Sequence, residues 1–173
     1  MSATYKFLNA EDQLGEDEPR ENFALDVLMG LSDTPKQLFS KYFYDDYGSE
    51  AFQKIMDLPE YYLTNCEHEI LSQQTHHFDE LLHDGAFNLV ELGAGDGRKT
   101  RLLLDHFVQR GFDFRYVPID ISEGAMRALT GLLNVELPEL LAEGIVADYF
   151  QGLRWMQANN QKPVSYTHLT LPT

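Results

Sequence analysis

The sequence is poor in cysteine and in long apolar runs, and both shortages exclude classes of protein. Cys66 is the only cysteine among 173 residues, so the chain cannot form an intramolecular disulfide, and a reducing compartment fits it. No stretch reaches the roughly 18 apolar residues that a membrane-spanning helix needs. The N-terminus "MSATYKFLNAEDQLGEDEPRE" lacks the basic start and apolar block of a signal peptide. We therefore expect a cytoplasmic location.

Basic residues are also scarce. The 13 lysines and arginines stand against 28 aspartates and glutamates, which gives a formal net charge of −15 at pH 7. Nucleic acids and anionic membranes bind to basic surfaces, so this balance argues against both as partners. Hydrophobic residues make up 43% of the chain, which is enough to build a core. The length suits one domain or slightly more.

The first half of the chain divides into an acidic arm and a helical cap. Residues 1–21 are polar and acidic, and we interpret them as a flexible arm. Residues 22–84 show helical periodicity, as in "SEAFQKIMDL" and "TNCEHEILSQQTHHFDELLHDG". The second of these segments begins with Thr64 and Glu67 at the spacing of a capping box, in which each side chain binds a free backbone N–H of the other residue.

From residue 85 the pattern changes to alternating strands and helices. The runs "FNLVELG", "FRYVPIDI" and "EGIVADYF" predict buried strands. Helices are predicted for "RKTRLLLDHFVQRG" and for the segment that Ser122 begins as N-cap. Such alternation produces β-α-β units and a parallel sheet. The predicted fold class is therefore α/β, with a helical N-terminal cap before the first half of a Rossmann-like sheet in residues 85–162.

The stretch "VELGAGDGRKT" joins the first of these strands to its helix. Ligands bind at this edge of an open sheet, and glycines allow the backbone to turn tightly and approach them. The dinucleotide fingerprint is G-x-G-x-x-G, but here the glycines are Gly93, Gly95 and Gly97, and Arg98 stands where the fingerprint has its last glycine. This spacing counts against a nicotinamide-dependent oxidoreductase. With Glu91 ahead of it, the loop resembles the first motif of class I methyltransferases, which bind S-adenosylmethionine.

Acidic residues end the next two predicted strands. Asp120, in "VPIDI", ends the second strand, where a carboxylate can accept both ribose hydroxyls. Asp148, in "VADYF", ends the third strand, where a carboxylate can bind the adenine amino group while Tyr149 packs beside the ring. A solvated strand end is the alternative for either acid alone, and an ordinary strand-to-helix turn is the alternative for the glycine loop. The three positions together favour S-adenosylmethionine, whose sulfonium cation suits an acidic neighbourhood.

A tyrosine-rich segment precedes the sheet. "FYDDYGSEAF…LPEYYLT…E…IL", followed by "LVELGAGDGRKTRLLL" and "YVPIDIS", resembles the histidine-specific N-α-methyltransferases of ergothioneine biosynthesis. The resemblance covers residues 35 to about 150. It implies a class I methyltransferase domain with a second, substrate-recognition lobe. The implied reaction transfers three methyl groups from S-adenosylmethionine to the α-amine of L-histidine, giving hercynine. By composition alone, aromatic residues in a helical cap are more often core.

The resemblance also implies roles for single residues at the cofactor. Gly93 is expected against the amino-acid tail of S-adenosylmethionine, and Lys99 is expected to reach the same region. Asp120 is expected to hold the ribose. Asp148 and Tyr149 are expected to hold the adenine.

On the substrate side, the resemblance places Tyr61 in contact with histidine and Tyr44 near its α-amine. The amine must be uncharged to attack the methyl group in line, and the main task of the enzyme is to align the two in a dry pocket. Tyrosine oxygens can orient the amine lone pair. We assign no general base.

The end of the chain departs from the pattern of the family. After Asn160 comes "QKPVSYTHLTLPT", without the further strand and "G-S-x-I-G-N" loop with which the family continues. The segment "VSYTHLTLPT" carries no charge, and we interpret residues 163–173 as a non-native tail, with a genuine short strand as the alternative. A sheet left with an unpaired edge is aggregation-prone, so we expect this chain by itself to be poorly stable and inactive.

Two alternative functions stay open at this point. A methyltransferase of the same family that acts on another amine is one, because the lobe that selects the substrate is missing. A truncated module that binds the cofactor without catalysis is the other. At full length we expect a monomer.

A metal site was weighed for one predicted helix, which carries His68, His76 and His77 with Cys66 and Glu67. Helical metal ligands usually stand four residues apart, and these histidines do not have that spacing. A solvated helix face is the better interpretation, so we predict no metal. Cys66 has no base at a defined distance and is interpreted as a packed thiol rather than a nucleophile.

Overall fold

A computed structural model describes residues 2–8, 19–44, 46–82, 85–159 and 164–167. The first half of the chain contains one strand and a group of helices: β1 (Thr4–Phe7), α1 (Pro19–Ser32), a 3-10 helix (Ser40–Phe43), α2 (Asp46–Met56), α3 (Leu63–Gln74) and α4 (His77–Leu81). The second half alternates: β2 (Phe87–Leu92), α5 (Arg101–Arg110), β3 (Phe114–Asp120), α6 (Glu123–Glu136), β4 (Leu141–Val146), α7 (Tyr149–Asn159) and β5 (Val164–Thr167).

The strands form one parallel sheet in the order β1-β4-β3-β2-β5. The central pair, β2 and β3, is in register from Phe87 opposite Phe114 to Leu92 opposite Ile119. The helices α5, α6 and α7 connect these strands in the α/β alternation that the sequence predicted. The predicted α/β class with a partial Rossmann-like sheet is confirmed. No helix in the described part of the chain combines the length and apolar character that crossing a bilayer requires.

Hydrophobic residues pack on both faces of the sheet, because successive side chains of a strand point to opposite sides. On one face Phe87 and Leu89 of β2 join a cluster with α5 and α6 that includes Phe107. On the other face Val90 of β2 joins a smaller cluster with Trp155 of α7. Each side chain that becomes fully buried stabilises the fold by about 1.5–3 kcal/mol. The continuous apolar strands seen in the sequence are those of a sheet covered on both sides.

An edge strand lies where the sequence analysis placed a flexible arm. Thr4–Phe7 form β1, which pairs with β4. Ala3 and Leu8, on either side of it, are buried. The Ala3 N–H donates to Asn134 Oδ1 at 2.7 Å, and Asn134 Nδ2 donates to the Ala3 carbonyl at 2.8 Å. The interpretation as an arm is wrong for these residues, because strand pairing and burial of apolar neighbours outweigh the acidic stretch that follows. Residues 1 and 9–18 of that arm lie outside the described residues.

A further edge strand lies in the segment that we interpreted as a non-native tail. The backbone of Val164–Thr167 forms β5 beside β2, in register from Asn88 opposite Val164 to Glu91 opposite Thr167. A genuine short strand was the alternative interpretation of residues 163–173, and β5 gives β2 a neighbour on each side. Residues 163 and 168–173 of the segment lie outside the described residues.

The helical cap contacts the sheet domain through apolar and polar side chains. Neither α2 nor α3 contains a fully buried residue, but Leu71, Phe78 and Leu82 are partly buried and pack against the core cluster. Asp79 of α4 lies beside His106 of α5, with Oδ1 and Nε2 2.6 Å apart. The cap thus docks through a small apolar contact with polar contacts around it.

Two helix starts test the capping signals in the sequence. The Ser122 cap of α6 is confirmed, since its Oγ accepts from the Ala125 N–H at 3.0 Å. The predicted capping box of Thr64 and Glu67 is wrong, because α3 begins after Tyr62 and no side chain caps it.

Candidate functional site

The glycine loop follows β2 and leads into α5 along a tightly packed path. Gly93 and Gly97 both have φ of +71°, a left-handed conformation that residues with a Cβ rarely adopt. The Gly93 N–H donates to the Ile119 carbonyl of β3 at 2.8 Å. At Gly97 a Cβ would lie 2.4 Å from Leu129 Cδ1 of α6. The glycines are therefore required by the backbone conformation and by the close approach of α6.

Asp120, at the end of β3, holds this loop. Its Oδ2 accepts from the Gly95 N–H at 2.9 Å, and its Oδ1 accepts from the Ser122 N–H at 2.9 Å. The residue is only 9% exposed. Each carboxylate oxygen has room for about two hydrogen bonds, so each keeps an acceptor position for a ligand hydroxyl. The side chain thus both orders the loop and presents acceptors at the sheet edge.

Tyr149, the first residue of α7, lies over the glycine loop. A Cβ built on Gly93 would lie 2.7 Å from the Tyr149 hydroxyl oxygen. The pKa of Tyr149 is raised, mainly by partial burial, next by the charge of Asp120 and then by that of Tyr44. The structure therefore brings together Gly93, Asp120 and Tyr149, which the sequence analysis selected from three separate strand ends.

Asp148 caps α7. Its Oδ1 accepts from the Gln151 N–H at 2.9 Å, and Gln151 Oε1 accepts from the Asp148 N–H at 3.3 Å. This reciprocal pair is a capping box. Asp148 follows the end of β4 by two residues and is exposed. The sequence analysis placed Asp148 at the end of the strand, whereas the structure has it two residues further on, directly before α7. Its capping role was missed, although the D-x-x-Q spacing signals it.

Lys99 connects the glycine loop to the helical cap. Its Nζ lies 3.0 Å from Glu67 Oε2 of α3. The sequence analysis placed Glu67 in a capping box and Lys99 at the tail of the cofactor, and it did not foresee their pairing. Because Glu67 and Lys99 are far apart in the sequence, no local pattern indicates their contact. Only the packing of α3 near the loop reveals it.

Glu91 is a buried acid at the end of β2, directly before the glycine loop. The hydroxyls of Thr100 and Tyr116 each donate a hydrogen bond to its carboxyl group. Burial away from water raises its pKa to about 7, because it outweighs these two hydrogen bonds and the nearby charge of Lys99. The carboxyl group ties the end of the loop to β3. The sequence analysis used Glu91 only as part of the loop motif and missed Tyr116, since a tyrosine in an apolar strand reads as core.

The tyrosines of the cap approach the same edge of the sheet. Tyr61, between α2 and α3, packs edge-to-face on Phe52 with ring centroids 5.8 Å apart. Burial, then the charge of Glu67, then that of Tyr44 raise the pKa of Tyr61. The charge of Tyr44 contributes to the raised pKa of both Tyr61 and Tyr149.

A cavity of about 690 Å³ opens beside Tyr44, between the cap and the carboxyl ends of β1, β3 and β4. This volume lies within the roughly 300–1,000 Å³ that small-molecule sites occupy. Its lining is part polar and part apolar and includes Tyr44, Asp46, Tyr47, Ile121, Glu123 and Val146.

The histidine-rich segment has no cluster of metal ligands among the residues that the structure describes. No other group of histidine, cysteine, aspartate and glutamate in the described residues could hold a metal ion. Cys66 is exposed, so its interpretation as a packed thiol is wrong. It lies on a face of α3 that has no buried residue.

A parallel sheet with a glycine loop after β2, an acid that holds this loop from the end of β3 and a tyrosine over it defines a partial Rossmann-like methyltransferase domain. Residues 23–170 match the family of SAM-dependent, histidine-specific methyltransferases, and the chain belongs to that family. The resemblance found in the sequence is confirmed.

Curated relatives carry names of related activities. The chain is 36% identical over 146 residues to a histidine N-alpha-methyltransferase of Mycolicibacterium smegmatis, which is 84% of this chain and 45% of the relative. It is 33% identical over 135 residues to ergothioneine biosynthesis protein 1 of Neurospora crassa, covering 75% of this chain and 15% of the relative. It is 31% identical over 137 residues to N-methyltransferase fsqC of Aspergillus fumigatus, covering 77% and 37%. The chain thus spans less than half the length of these relatives.

Proposed function

We propose that this chain forms the cofactor-binding part, and one wall of the amine site, of an S-adenosylmethionine-dependent N-methyltransferase. The proposed substrate is the α-amine of L-histidine, which three successive transfers convert to hercynine, a step toward ergothioneine. The observation that carries the proposal is the glycine loop at the carboxyl edge of the sheet, which Asp120 holds and over which Tyr149 lies, with Tyr44 lining the neighbouring cavity. Family membership and the names of the relatives support the histidine substrate.

The residues at the sheet edge fit S-adenosylmethionine. Gly93 has no side chain and is exposed, so its backbone is accessible to an amino-acid tail. Asp120 retains acceptor positions for the two ribose hydroxyls. Asp148 and Tyr149, at the start of α7, are proposed to hold the adenine. Lys99 is proposed to donate one N–H to the carboxylate of the cofactor and to keep its contact with Glu67 through another N–H.

When bound, the cofactor supplies an electrophilic methyl group on a sulfonium ion. The task of the chain is to present the amine to it in line and without water between them. Tyr44 and Tyr61 are proposed to orient the amine through their hydroxyl oxygens. The pKa of Tyr61 and that of Tyr149 are raised, so both phenols stay neutral at physiological pH and serve as hydrogen-bonding groups. Glu91 is occupied by Thr100 and Tyr116 inside the core and does not take a proton from the amine.

A methyltransferase of another amine is the second candidate. The cavity beside Tyr44 is lined in part by Phe7, Ile121 and Val146, which would suit an amine with a larger apolar body. A relative named 4-dimethylallyltryptophan N-methyltransferase, from Claviceps fusiformis, is 28% identical over 133 residues. A cofactor-binding module without catalysis is the third candidate for the chain by itself.

Calorimetry on the 173-residue chain tests the cofactor. S-adenosylmethionine is expected to bind and NADH is not, and tight binding of NADH would contradict the proposal. A chain that spans the full length of the curated relatives is then incubated with histidine and S-adenosylmethionine, and mass spectrometry is expected to show successive methyl additions. Methylation of another amine with histidine unmodified would favour the second candidate. The 173-residue chain alone is expected to show no turnover.

A further inference from the structure

The helical cap meets the sheet domain at the first turn of α6, where the carboxylate of Asp46 receives two hydrogen bonds. Its Oδ1 accepts from Ser122 Oγ at 2.6 Å and from the Gly124 N–H at 3.1 Å. The hydrogen bond from Ser122, followed by that from Gly124, lowers the pKa of Asp46. Asp46 is therefore an anion at neutral pH. An anion is favoured at the positive end of a helix dipole. The contact is therefore a charge-assisted joint between α2 and α6.

Ser122 connects this joint to the glycine loop. Its backbone N–H donates to Asp120 Oδ1 at 2.9 Å, and Asp120 Oδ2 accepts from the Gly95 N–H at 2.9 Å. Ser122 itself is only 2% exposed. A continuous chain of hydrogen bonds thus runs from Asp46 through Ser122 and Asp120 to Gly95, and its middle is shielded from water. Buried networks of this kind rigidify the groups that they join.

Gly124 shapes the position of the Asp46 carboxylate. A Cβ built on Gly124 would lie 3.1–3.3 Å from the Cγ and the two oxygens of Asp46. A side chain at this position would therefore displace the carboxylate from the N–H that it binds. The absence of a side chain at Gly124 allows the close approach.

Asp46 begins α2, and Tyr44 lies two residues before it. Both residues line the cavity of about 690 Å³. Tyr44 also lies near enough to Tyr61 and Tyr149 to raise the pKa of each. A residue that attaches the start of α2 to the first turn of α6 therefore determines where Tyr44 lies relative to the cofactor-facing edge of the sheet.

We propose that Asp46 is a positioning residue, which holds Tyr44 at a defined place beside the carboxyl ends of β3 and β4. It acts through Ser122 and Gly124 and does not contact the reacting groups. This inference rests on the proposed function, in which Tyr44 orients the amine and Asp120 binds the ribose of the cofactor. The attachment of α2 to α6 is a property of the fold and can be measured without any substrate.

Hydrogen–deuterium exchange on the 173-residue chain tests the attachment. In Asp46→Ala, the amides of α2 are expected to exchange about tenfold faster, because two hydrogen bonds to a charged group are lost. In Asp46→Asn the amide oxygen still accepts both bonds, and exchange is expected within about threefold of the unaltered chain. Glu50→Ala is the matched control, since Glu50 is an exposed carboxylate on the same helix. Unchanged exchange of α2 in Asp46→Ala overturns the proposal.

Gly124→Val keeps the proposal falsifiable if Asp46→Ala does not fold. The added side chain leaves Asp46 chemically intact but blocks its place on α6. Faster exchange of α2 together with retained exchange protection in β2 and β3 supports the proposal. Unchanged exchange of α2 in this variant overturns it.

A chain that spans the full length of the curated relatives tests the consequence for the reaction. Asp46→Ala is expected to lower kcat/KM for the amine about tenfold, because a misplaced orienting group costs rate. The Kd of S-adenosylmethionine should stay within about threefold, since the Ser122 backbone still holds Asp120, and Asp46→Asn should restore kcat/KM. Equal losses in kcat/KM and cofactor affinity, without rescue by asparagine, would indicate a general structural role and overturn the inference. Failure of the unaltered chain to methylate any amine contradicts the proposed function instead, and the exchange result then decides on the attachment.

Discussion

The hydroxyl of Tyr149 lies directly over the backbone of Gly93, at the point where a Cβ of that residue would come within 2.7 Å of the oxygen. Gly93 begins the loop after β2, and Tyr149 begins α7 after β4. The two elements lie on either side of Asp120, because β3 lies between β2 and β4 in the sheet. A side chain at position 93 is therefore excluded both by its neighbour and by its own backbone, whose φ is +71°.

Gly93→Ala is expected to weaken binding of S-adenosylmethionine at least about tenfold, because displacement of Tyr149 adds to a left-handed strain of about 1–2 kcal/mol. Calorimetry measures the affinity, and denaturant unfolding measures the strain. Gly111→Ala is the matched control: its φ is +73° and no atom lies within 4 Å of the added Cβ. The control should lose similar stability with unchanged affinity. Equal affinities in Gly93→Ala and the control would contradict the prediction.

Glu91 makes the stability of the fold depend on pH. Its pKa is raised from 4.5 to about 7, so the folded protein holds a proton that the unfolded chain has released. The contribution of Glu91 is therefore fully present below pH 4.5 and is lost as the pH rises toward about 7. The upper limit of the loss is about 3 kcal/mol.

Glu91→Gln should abolish this part of the pH dependence, because the amide does not titrate. The free energy of unfolding is compared in urea at the two ends of that pH range, in the unaltered chain, in Glu91→Gln and in the exposed control Glu50→Gln. The same pH profile in Glu91→Gln and in the unaltered chain would show that Glu91 titrates normally.

Asp120→Asn is expected to raise the Kd of S-adenosylmethionine about ten- to a hundredfold, since hydrogen bonds to a charged group contribute about 1.5–3 kcal/mol. The substitution also replaces an acceptor of the Gly95 or Ser122 N–H by a donor. Asp105→Asn is a control on α5, where the carboxylate forms a local ion pair with Arg101. Cofactor affinity that is the same in both variants would remove Asp120 from the site.

The pair of Lys99 and Glu67 predicts opposite effects of two substitutions. Lys99→Ala should weaken S-adenosylmethionine binding about tenfold by removing a cation near the carboxylate of the ligand. Glu67→Gln should strengthen binding about two- to threefold, because the ammonium is released from its present partner and a partly exposed ion pair contributes little by itself. Lys54→Ala, on α2, is the control. Weaker binding in Glu67→Gln would mean that the ion pair supports the site.

Tyr61→Phe is expected to raise KM for the amine about two- to tenfold with unchanged affinity for S-adenosylmethionine, because it removes one hydroxyl hydrogen bond. The measurement uses a chain that spans the full length of the curated relatives. The adjacent Tyr62 is exposed and supplies the matched control Tyr62→Phe. A change in cofactor affinity without a change in KM would place Tyr61 on the wrong side of the site.

The parts of the site that the sequence predicted well are those with local signals. The glycine spacing, the strand before it and the acid that ends "VPIDI" each depend on a few neighbouring residues, and the structure has them at one edge of the sheet. The Ser122 cap was predictable for the same reason. The capping box of Thr64 and Glu67 failed because α3 already begins at Leu63, and Glu67 pairs instead with Lys99, which no local pattern shows. Strand β1 was missed because a short, half-exposed edge strand has a weak periodic signal.

The sequence by itself determined the alternation of strands and helices after residue 85, the tight glycine loop and the family. These follow from backbone preferences and from apolar periodicity, which act over a few residues. Only the tertiary structure decided that Tyr44 lines a cavity at the carboxyl edge of the sheet, that Asp46 attaches the cap to α6 and that Glu91 is an acid with its pKa near neutral. These depend on burial and on contacts between residues far apart in the chain, because desolvation and hydrogen-bond geometry exist only once the layers have packed.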